Sequence, residues 1–125
     1  MTHLRIAVAG SRTITDYNQF IVALTEAIKY GVVTPANTFE IVSGGAKGVD
    51  TLARRYATEF NYKLTELKPQ YRGNYDRGAP LRRNLDIAAS SDVLVAVWDG
   101  VSTGTKHMIA EMKKLNKPTY VHIVK

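Results

Sequence analysis

An uninterrupted run of apolar residues, Val93–Trp98, stands late in this 125-residue chain and is typical of a β-strand. Strands with one wet face alternate apolar and polar residues, so a run without a polar residue indicates a strand covered on both faces. Such strands occur in parallel sheets that carry helices on either side. This run therefore predicts an α/β fold.

The rest of the chain alternates short apolar segments with segments whose apolar residues recur at helical spacing. The predicted strands are Leu4–Ala9, Phe39–Ser43, Tyr62–Leu67, Val93–Trp98 and Thr119–Val124. The predicted helices contain Tyr17–Ile28, Val49–Phe60, Pro80–Ala89 and Met108–Leu115. Because βαβ crossovers are right-handed, this order predicts a Rossmann-like three-layer sandwich with a five-stranded parallel sheet in the order 3-2-1-4-5. At this length we expect one domain over residues 1–125.

Apolar spacing also predicts which helix residues face the core. Gly31 is expected to cap the first helix and Pro80 to lie in the first turn of the third, as these residue types prefer. The core-facing residues predicted at the ends of the first two helices and along the last two are Ile28, Phe60, Leu81, Leu85, Ala88, Ala89, Met108, Ile109, Met112 and Leu115.

Composition excludes several kinds of protein. The chain has no cysteine, which excludes disulfides, thiol nucleophiles and cysteine-ligated metals. The three histidines share no ligand spacing, and we expect neither a metal nor a cofactor. No apolar run approaches the ~18 residues of a membrane span, so we expect a cytoplasmic protein without membrane contact. Seventeen Lys and Arg against eleven Asp and Glu leave a charge of +6, which favours anionic partners.

Glycine-rich turns follow three of the predicted strands: Gly10–Arg12, Gly44–Asp50 and Asp99–Lys106. The predicted strand order brings the first, second and fourth strands side by side, so their turns are expected at one sheet edge. Glycine allows backbone amides to approach a ligand, and a helix N-terminus attracts phosphate. The turns therefore predict a phosphate-binding crevice, although each one alone is equally expected of ordinary helix capping. Neither the dinucleotide fingerprint Gly-x-Gly-x-x-Gly nor the Walker A pattern is present.

These turns, together with residues around them, resemble the SLOG superfamily, and within it the YspA/YpsA-related branch. The resemblance covers nearly the whole chain. It rests on Gly10–Arg12, Val42–Asp50 with Ala53 and Tyr56–Ala57, Arg82–Asn84, Asp92–Gly100 and Ser102–His107. It implies binding of a nucleotide, a nucleotide sugar or an ADP-ribose or NAD derivative, by a sensor or a nucleotide-processing enzyme.

The resemblance and the turn pattern together assign the ligand-binding residues. Arginine and lysine can pair with phosphate, and Asp50 and Asp99 either approach a ribose or order the loops. The assigned residues are Gly10, Ser11, Arg12, Ser43, Gly44, Gly45, Lys47, Gly48, Asp50, Arg83, Asn84, Asp99, Thr103, Gly104, Thr105 and Lys106.

Catalysis stays open at this point. LOG phosphoribohydrolases, which are SLOG relatives, carry Pro-Gly-Gly-x-Gly-Thr-x-x-Glu, and here Met108 takes the place of the final glutamate while Gly104 and Thr105 remain. A carboxylate would normally stabilise the oxocarbenium character that develops when an N-glycosidic bond breaks, and a thioether cannot. If the protein is a hydrolase of an N-glycosidic or phosphate–ribose bond, Asp50, Asp99 and Glu111 are the candidate catalytic residues.

A single-stranded nucleic acid is the alternative partner. DprA/Smf proteins, also SLOG relatives, bind single-stranded DNA, and residues 68–83 are rich in Lys and Arg with Tyr71 and Tyr75 between them. Aromatic side chains beside cations suit base stacking, but the segment is equally expected to be a lid over a small anion or a solvated loop. A homodimer is compatible with the sequence, although no feature specifies one.

Overall fold

The computed structural model describes residues 2–125 and has a five-stranded parallel sheet with four helices. The sheet order is β3-β2-β1-β4-β5, and all four strand pairs are parallel. The strands are β1 (His3–Gly10), β2 (Thr38–Ser43), β3 (Lys63–Glu66), β4 (Val93–Trp98) and β5 (Thr119–Ile123). The helices are α1 (Tyr17–Lys29), α2 (Val49–Glu59), α3 (Ala79–Ser90) and α4 (Thr103–Lys114). The predicted fold class and strand order are confirmed.

Two apolar cores lie on opposite faces of the sheet because successive strand side chains point in opposite directions. In β4, Val93, Val95 and Val97 pack with α1 and α2 in one core. Leu94 and Ala96 of the same strand pack with α3 and α4 in the other. The strand is thus buried on both faces, as its uninterrupted apolar sequence predicts. None of the helices within residues 2–125 has the length and apolarity to cross a membrane.

Helix α3 is rotated relative to the predicted orientation. Leu81 and Leu85 are 44% and 47% exposed and Ala89 is exposed, so three of the four predicted core residues are wrong. The buried face instead carries Asn84, Ile87 and Ala88, with Ala88 as predicted. A polar side chain can take a core position because its amide is hydrogen-bonded there, as described below.

The predicted core residues at helix ends are also exposed. Ile28, Phe60 and Leu115 are 55%, 52% and 49% exposed, and each lies in the last turn or at the C-cap of its helix. The rest of the predicted face of α4 is buried, namely Met108, Ile109 and Met112.

Two predicted helix boundaries, at Gly31 and Pro80, are confirmed, and the predicted start of α4 is wrong. Gly31 has a φ of 78° and caps α1: its N–H donates to Ile28 O (3.1 Å), while Val32 N–H donates to Ala27 O (2.9 Å), as in a Schellman motif. Pro80 lies in the first turn of α3. Helix α4 begins at Thr103, so Thr103 and Gly104, predicted to end a loop, are helical.

A buried carboxylate, that of Glu40 in β2, links this strand to β1 and β3. It accepts hydrogen bonds from Thr65 Oγ1 (2.6 Å) and Arg5 Nη2 (3.1 Å), and His3 Nε2 lies 3.2 Å from it. Lys63 Nζ is 3.8 Å away. Burial alone would raise the pKa of Glu40, but the hydrogen bonds from Thr65, His3 and Arg5 outweigh it and lower the pKa from 4.5 to about 2.

This lowered pKa predicts acid sensitivity. The ionised Glu40 stabilises the fold fully above pH 4.5, and this contribution is lost as the pH falls toward about 2, because the unfolded chain takes up the proton first. The loss is on the order of 2–3 kcal/mol. Urea unfolding of the wild type and Glu40→Gln at pH 7 and pH 3 tests this: the variant should be less stable at pH 7 and lose less on acidification. Equal losses in both proteins would contradict it.

Candidate ligand-binding crevice

The three glycine turns meet at the carboxyl edge of the sheet, because β2, β1 and β4 are neighbours. They surround a cavity of about 560 Å³, here called the crevice. Helix α3 forms its remaining wall. Assigned ligand-binding residues that line the crevice are Gly10, Ser11, Arg12, Gly44, Asp50, Arg83, Asn84, Thr103, Gly104 and Thr105. The predicted convergence of the turns is therefore present in the fold.

The first turn of α4 contributes backbone N–H groups to the crevice. Its N-cap residue, Ser102, makes no capping hydrogen bond with its side chain. The first N–H group of α4 with an acceptor in its own helix turn is that of Lys106, which donates to Ser102 O (3.2 Å). The N–H groups of Thr103, Gly104 and Thr105 come before it, so their partners must come from outside the helix. All three residues line the crevice. The partial positive charge of the helix N-terminus adds to their attraction for an anion.

Asp99 holds the turn after β4 in shape. Its Oδ1 accepts hydrogen bonds from the N–H groups of Val101 (2.9 Å) and Ser102 (2.8 Å), and Ser102 Oγ lies 3.0 Å from Oδ2. Hydrogen bonds from Ser102 and Val101 lower the pKa of Asp99 to about 2, against a smaller opposing effect of burial. Asp99 does not line the crevice. Of the two predicted roles for Asp99, the geometry matches the ordering of the loop.

Ser11 joins the turns after β1 and β4. Its side chain is buried, and its Oγ accepts from Asp99 N–H (3.0 Å) and lies 3.0 Å from Ser102 Oγ. Its backbone carbonyl accepts from Val49 N–H at the start of α2 (3.3 Å). Ser11 therefore fixes the crevice wall by its own hydrogen bonds.

Asp50 shapes the turn after β2. It is 7% exposed, and its Oδ2 accepts a hydrogen bond from Ala46 N–H at 3.1 Å. Burial raises the pKa of Asp50, although the N–H groups of Ala46 and Gly44 and the charge of Arg83 act in the opposite direction. Asp50 is the single carboxylate among the residues that line the crevice. A buried carboxyl group of raised pKa in a cleft is a candidate for acid–base chemistry, and here it also closes a turn.

Three guanidinium groups line the crevice, those of Arg12, Arg77 and Arg83. Arg83 is half-buried, and its Nη1 donates to Gly44 O (2.9 Å) while its Nε donates to Asn84 Oδ1 (3.1 Å). Burial lowers the pKa of Arg83, and the positive charge of Arg12 does so as well, while Asp50 opposes both. Arg12 is exposed. Within residues 2–125, none of the three arginines has a carboxylate oxygen within 4.0 Å.

Asn84 connects α3 to α4 at the crevice. Its Nδ2 donates to Gly104 O (3.2 Å) and lies 3.2 Å from His107 Nδ1. Its Oδ1 accepts the hydrogen bond from Arg83 Nε, so this buried amide orients the guanidinium group. These hydrogen bonds explain why α3 turns Asn84, rather than Leu85, toward the interior.

Several predicted residues lie outside the crevice. Glu111 is 3.2 Å from Lys114 Nζ and 3.5 Å from His107 Nε2, and neither Glu111 nor Lys106 lines the cavity. Gly45 and Lys47 line an adjoining cavity instead. Ser43 is buried beneath the turn, where its Oγ accepts from Gly45 N–H at 3.4 Å.

Two assigned glycines are explained by packing between elements. A Cβ on Gly10 would lie 2.4 Å from both Val49 Cγ2 and Val97 O. Gly48 has a φ of 73°, and a Cβ there would lie 2.4 Å from Ser11 O. Neither position tolerates a side chain whether or not a ligand is bound.

Other lining residues were not predicted. Met108, which takes the place of the LOG glutamate, is buried in the crevice wall beside Ile87. Arg77 and Thr13 line the crevice as well. Thr13 could have been predicted because it follows Arg12 directly in the sequence. Arg77 could not, because its position depends on how the loop before α3 folds.

Within residues 2–125, no three His, Asp or Glu side chains come together as a metal site would require.

Comparisons with known proteins agree with this architecture. TM1055, a structural genomics target, superposes with a TM-score of 0.63 at 18% identity, over 93% of this chain and 72% of its own. DNA processing protein A from Helicobacter pylori, described for its single-stranded DNA binding mode, gives a TM-score of 0.64 at 25% identity over 96% of this chain. This chain spans 65% of that protein.

Sequence relatives identify the family. The Gene 61 protein of Mycobacterium phage D29 is 30% identical over 122 residues, covering 91% of this chain and 92% of its own. The family model described as "YspA, cpYpsA-related SLOG family" matches residues 4–73, which is more than half of the chain. Its match includes the turns after β1 and β2. The chain therefore belongs to the YspA, cpYpsA-related SLOG family.

Proposed function

We propose that the protein binds a phosphorylated nucleotide-derived ligand in the crevice. The class comprises nucleotides, nucleotide sugars and ADP-ribose or NAD derivatives. The observation that carries this proposal is the convergence on one cavity of the uncapped start of α4 with Arg12 and Arg83, two guanidinium groups that have no carboxylate partner among residues 2–125.

Electrostatics favours phosphate at this position. Partial burial disfavours the charged form of Arg83, and repulsion by the nearby charge of Arg12 disfavours it further. A phosphate between them would relieve this repulsion and accept charge-assisted hydrogen bonds, which are roughly twice as strong as neutral ones. The N–H groups of α4 would supply further donors.

The remaining walls of the crevice suit a nucleoside. Val8, Leu81, Ile87 and Met108 provide apolar surface, while Asn84 and Asp50 provide polar atoms. The volume of about 560 Å³ falls within the ~300–1,000 Å³ that small-molecule sites occupy. A nucleotide, which combines a flat base with an anionic phosphate, matches a cavity that has both apolar walls and cationic groups.

A thermal-unfolding panel tests the proposal. AMP, ADP-ribose, NAD and cyclic AMP are added to the protein one at a time. At about one hundred times its dissociation constant, a true ligand stabilises the fold by ~2.7 kcal/mol, which raises the melting temperature by several degrees. If no member of the panel raises the melting temperature at millimolar concentration, the proposal is wrong.

Catalysis is a separate question that the same ligands address. Asp50 is the carboxylate available to a bound nucleotide, since Glu111 and Asp99 lie outside the cavity. Release of free base from AMP by the wild type, and its loss in Asp50→Asn, would identify a phosphoribohydrolase. Binding without release of either base or phosphate would favour a sensor.

Single-stranded DNA is the second candidate ligand. The resemblance to DNA processing protein A favours it, as does the presence of Arg54, Lys68 and Tyr71 in the adjoining cavity. Binding to a strand should weaken steeply with salt, since log K falls by about 0.7 per phosphate contacted for each tenfold rise in salt. Titrations of a twenty-nucleotide strand at 50 and 200 mM salt separate this candidate from a small ligand.

A further inference from the structure

A second cavity of about 630 Å³ adjoins the crevice on the side of β3. We call it the basic side cavity. Arg12 and Arg83 line both cavities, so the two spaces share a cationic boundary. The wall that belongs to the basic side cavity alone includes Lys47, Arg54, Lys68 and Tyr71.

The basic side cavity holds an excess of positive charge. Arg54 is paired, with its Nη2 2.8 Å from Glu66 Oε2. Within the described part of the chain, Arg12, Lys47, Lys68 and Arg83 have no carboxylate oxygen within 4.0 Å. Like charges gathered around one cavity repel each other, and a bound anion would remove that cost.

Part of this cationic wall is held in position by packing. The aliphatic stem of Lys68 lies along Gly45, where a Cβ would be 3.1 Å from Lys68 Cε. Arg83 is fixed by its hydrogen bond to Gly44 O. The charges at this boundary are therefore placed before a ligand arrives, which reduces the entropy lost on binding.

An aromatic ring completes the basic side cavity. Tyr71 is 62% exposed, although it lines the cavity, and its hydroxyl-bearing side chain lies near enough to Arg83 to affect the pKa of that guanidinium. An exposed ring beside cations offers a surface on which a nucleobase can stack, a contact worth about 1–3 kcal/mol per base in single-strand binding proteins. None of the aromatic residues in the described range lines the crevice.

From this arrangement we infer that the ligand is a dinucleotide, with one nucleotide unit in the crevice and the second in the basic side cavity. The second phosphate group pairs with Lys47 and Lys68, and the second base stacks on Tyr71. The inference rests on the proposed function for the first unit. It explains why the unpaired cations extend beyond the space that one phosphate group occupies.

The test compares one nucleotide unit with two. Calorimetric titrations use AMP and 5′-phosphorylated diadenylate as probes, with the wild type, with Lys47→Gln/Lys68→Gln and with Tyr71→Leu. These side chains are exposed, so the variants should keep the wild-type melting temperature. Lys113→Gln/Lys125→Gln removes the same charge from exposed positions that line neither cavity, and serves as the control.

We expect the wild type and the control to bind the diadenylate at least tenfold more tightly than AMP. The Lys47/Lys68 variant should lose that difference while its affinity for AMP changes by less than twofold, and Tyr71→Leu should lose part of it.

Equal affinity of the wild type for the two probes, or an advantage of the diadenylate that survives in the Lys47/Lys68 variant, would overturn the inference and leave AMP binding in the crevice intact. Failure of both probes to bind would also overturn the inference, whereas the proposed function is wrong only if every member of the thermal-unfolding panel fails as well. Affinity that keeps rising from the diadenylate to a twenty-nucleotide strand would overturn the inference in favour of single-stranded DNA.

Discussion

Replacing Gly48 with alanine is expected to lower the free energy of unfolding by about 3 kcal/mol or more. Gly48 has a φ of 73° and a ψ of −125°, a combination essentially reserved for glycine. A Cβ at this position would also lie 2.4 Å from Ser11 O and 2.5 Å from Arg12 O, and these are backbone atoms that cannot turn away. The strain would be transmitted to the turn after β1. Urea denaturation measures the loss.

Gly104→Ala is the matched comparison for Gly48→Ala. Apart from its chain neighbours and the nearby backbone of its own helix, no heavy atom of residues 2–125 lies within 4 Å of a Cβ at Gly104, and its φ is not positive. Gly104 also lies in the first turn of α4, where alanine favours the helix. We expect this variant to stay within about 1 kcal/mol of the wild type. Equal stability losses in the two variants would show that steric demand does not distinguish these glycines.

Arg12→Gln is expected to weaken binding of the nucleotide ligand by ~10- to 100-fold without changing the melting temperature of the free protein. A hydrogen bond to a charged group contributes about 1.5–3 kcal/mol, and each 1.4 kcal/mol is a factor of ten in affinity. Arg12 is exposed and has no carboxylate partner among residues 2–125, so the folded protein loses little without its charge. Calorimetric titration with the strongest ligand of the panel gives the ratio of affinities.

Arg72→Gln provides the control for Arg12→Gln. Arg72 is exposed on the loop before α3 and lines neither cavity. The same chemical change there should alter affinity for a small ligand by less than twofold. If both substitutions weaken binding equally, the effect belongs to the overall charge of the protein rather than to the crevice.

The topology could be predicted from the sequence because local patterns specify it. Val93–Trp98 has no polar residue, and both of its faces are buried. The alternation of strands and helices leaves few right-handed arrangements, and the observed order is among them. The turns that end β1, β2 and β4 meet as a consequence of that order, so their convergence follows from topology alone.

The details of the crevice depend on hydrogen bonds between residues far apart in the chain, which no local pattern reveals. The apolar spacing of α3 favours Leu81 and Leu85 as core residues, yet the bonds from Asn84 to Gly104 O and His107 rotate the helix. Asp99 faces its own turn because Val101 and Ser102 present two N–H groups to it.

Glu111 shows the limit of motif spacing. It lies three residues beyond Met108, so it is about 4.5 Å further along the axis from the start of α4 that lines the crevice, and its carboxylate pairs with His107 and Lys114 instead. A carboxylate one turn from the position of the LOG glutamate therefore does not line the cavity. Asp50 reaches the crevice because the turn after β2 folds around it.

The most direct test of the crevice follows the backbone amides while AMP, or a stronger ligand of the panel, is titrated into the protein. We predict that the largest ¹H–¹⁵N chemical-shift changes fall on Thr103, Gly104 and Thr105, the uncapped start of α4, and that Arg12→Gln reduces them at equal ligand concentration. Changes concentrated at the opposite edge of the sheet, around residues 31–36, with the α4 amides unmoved, would contradict phosphate binding at the convergence of the three turns.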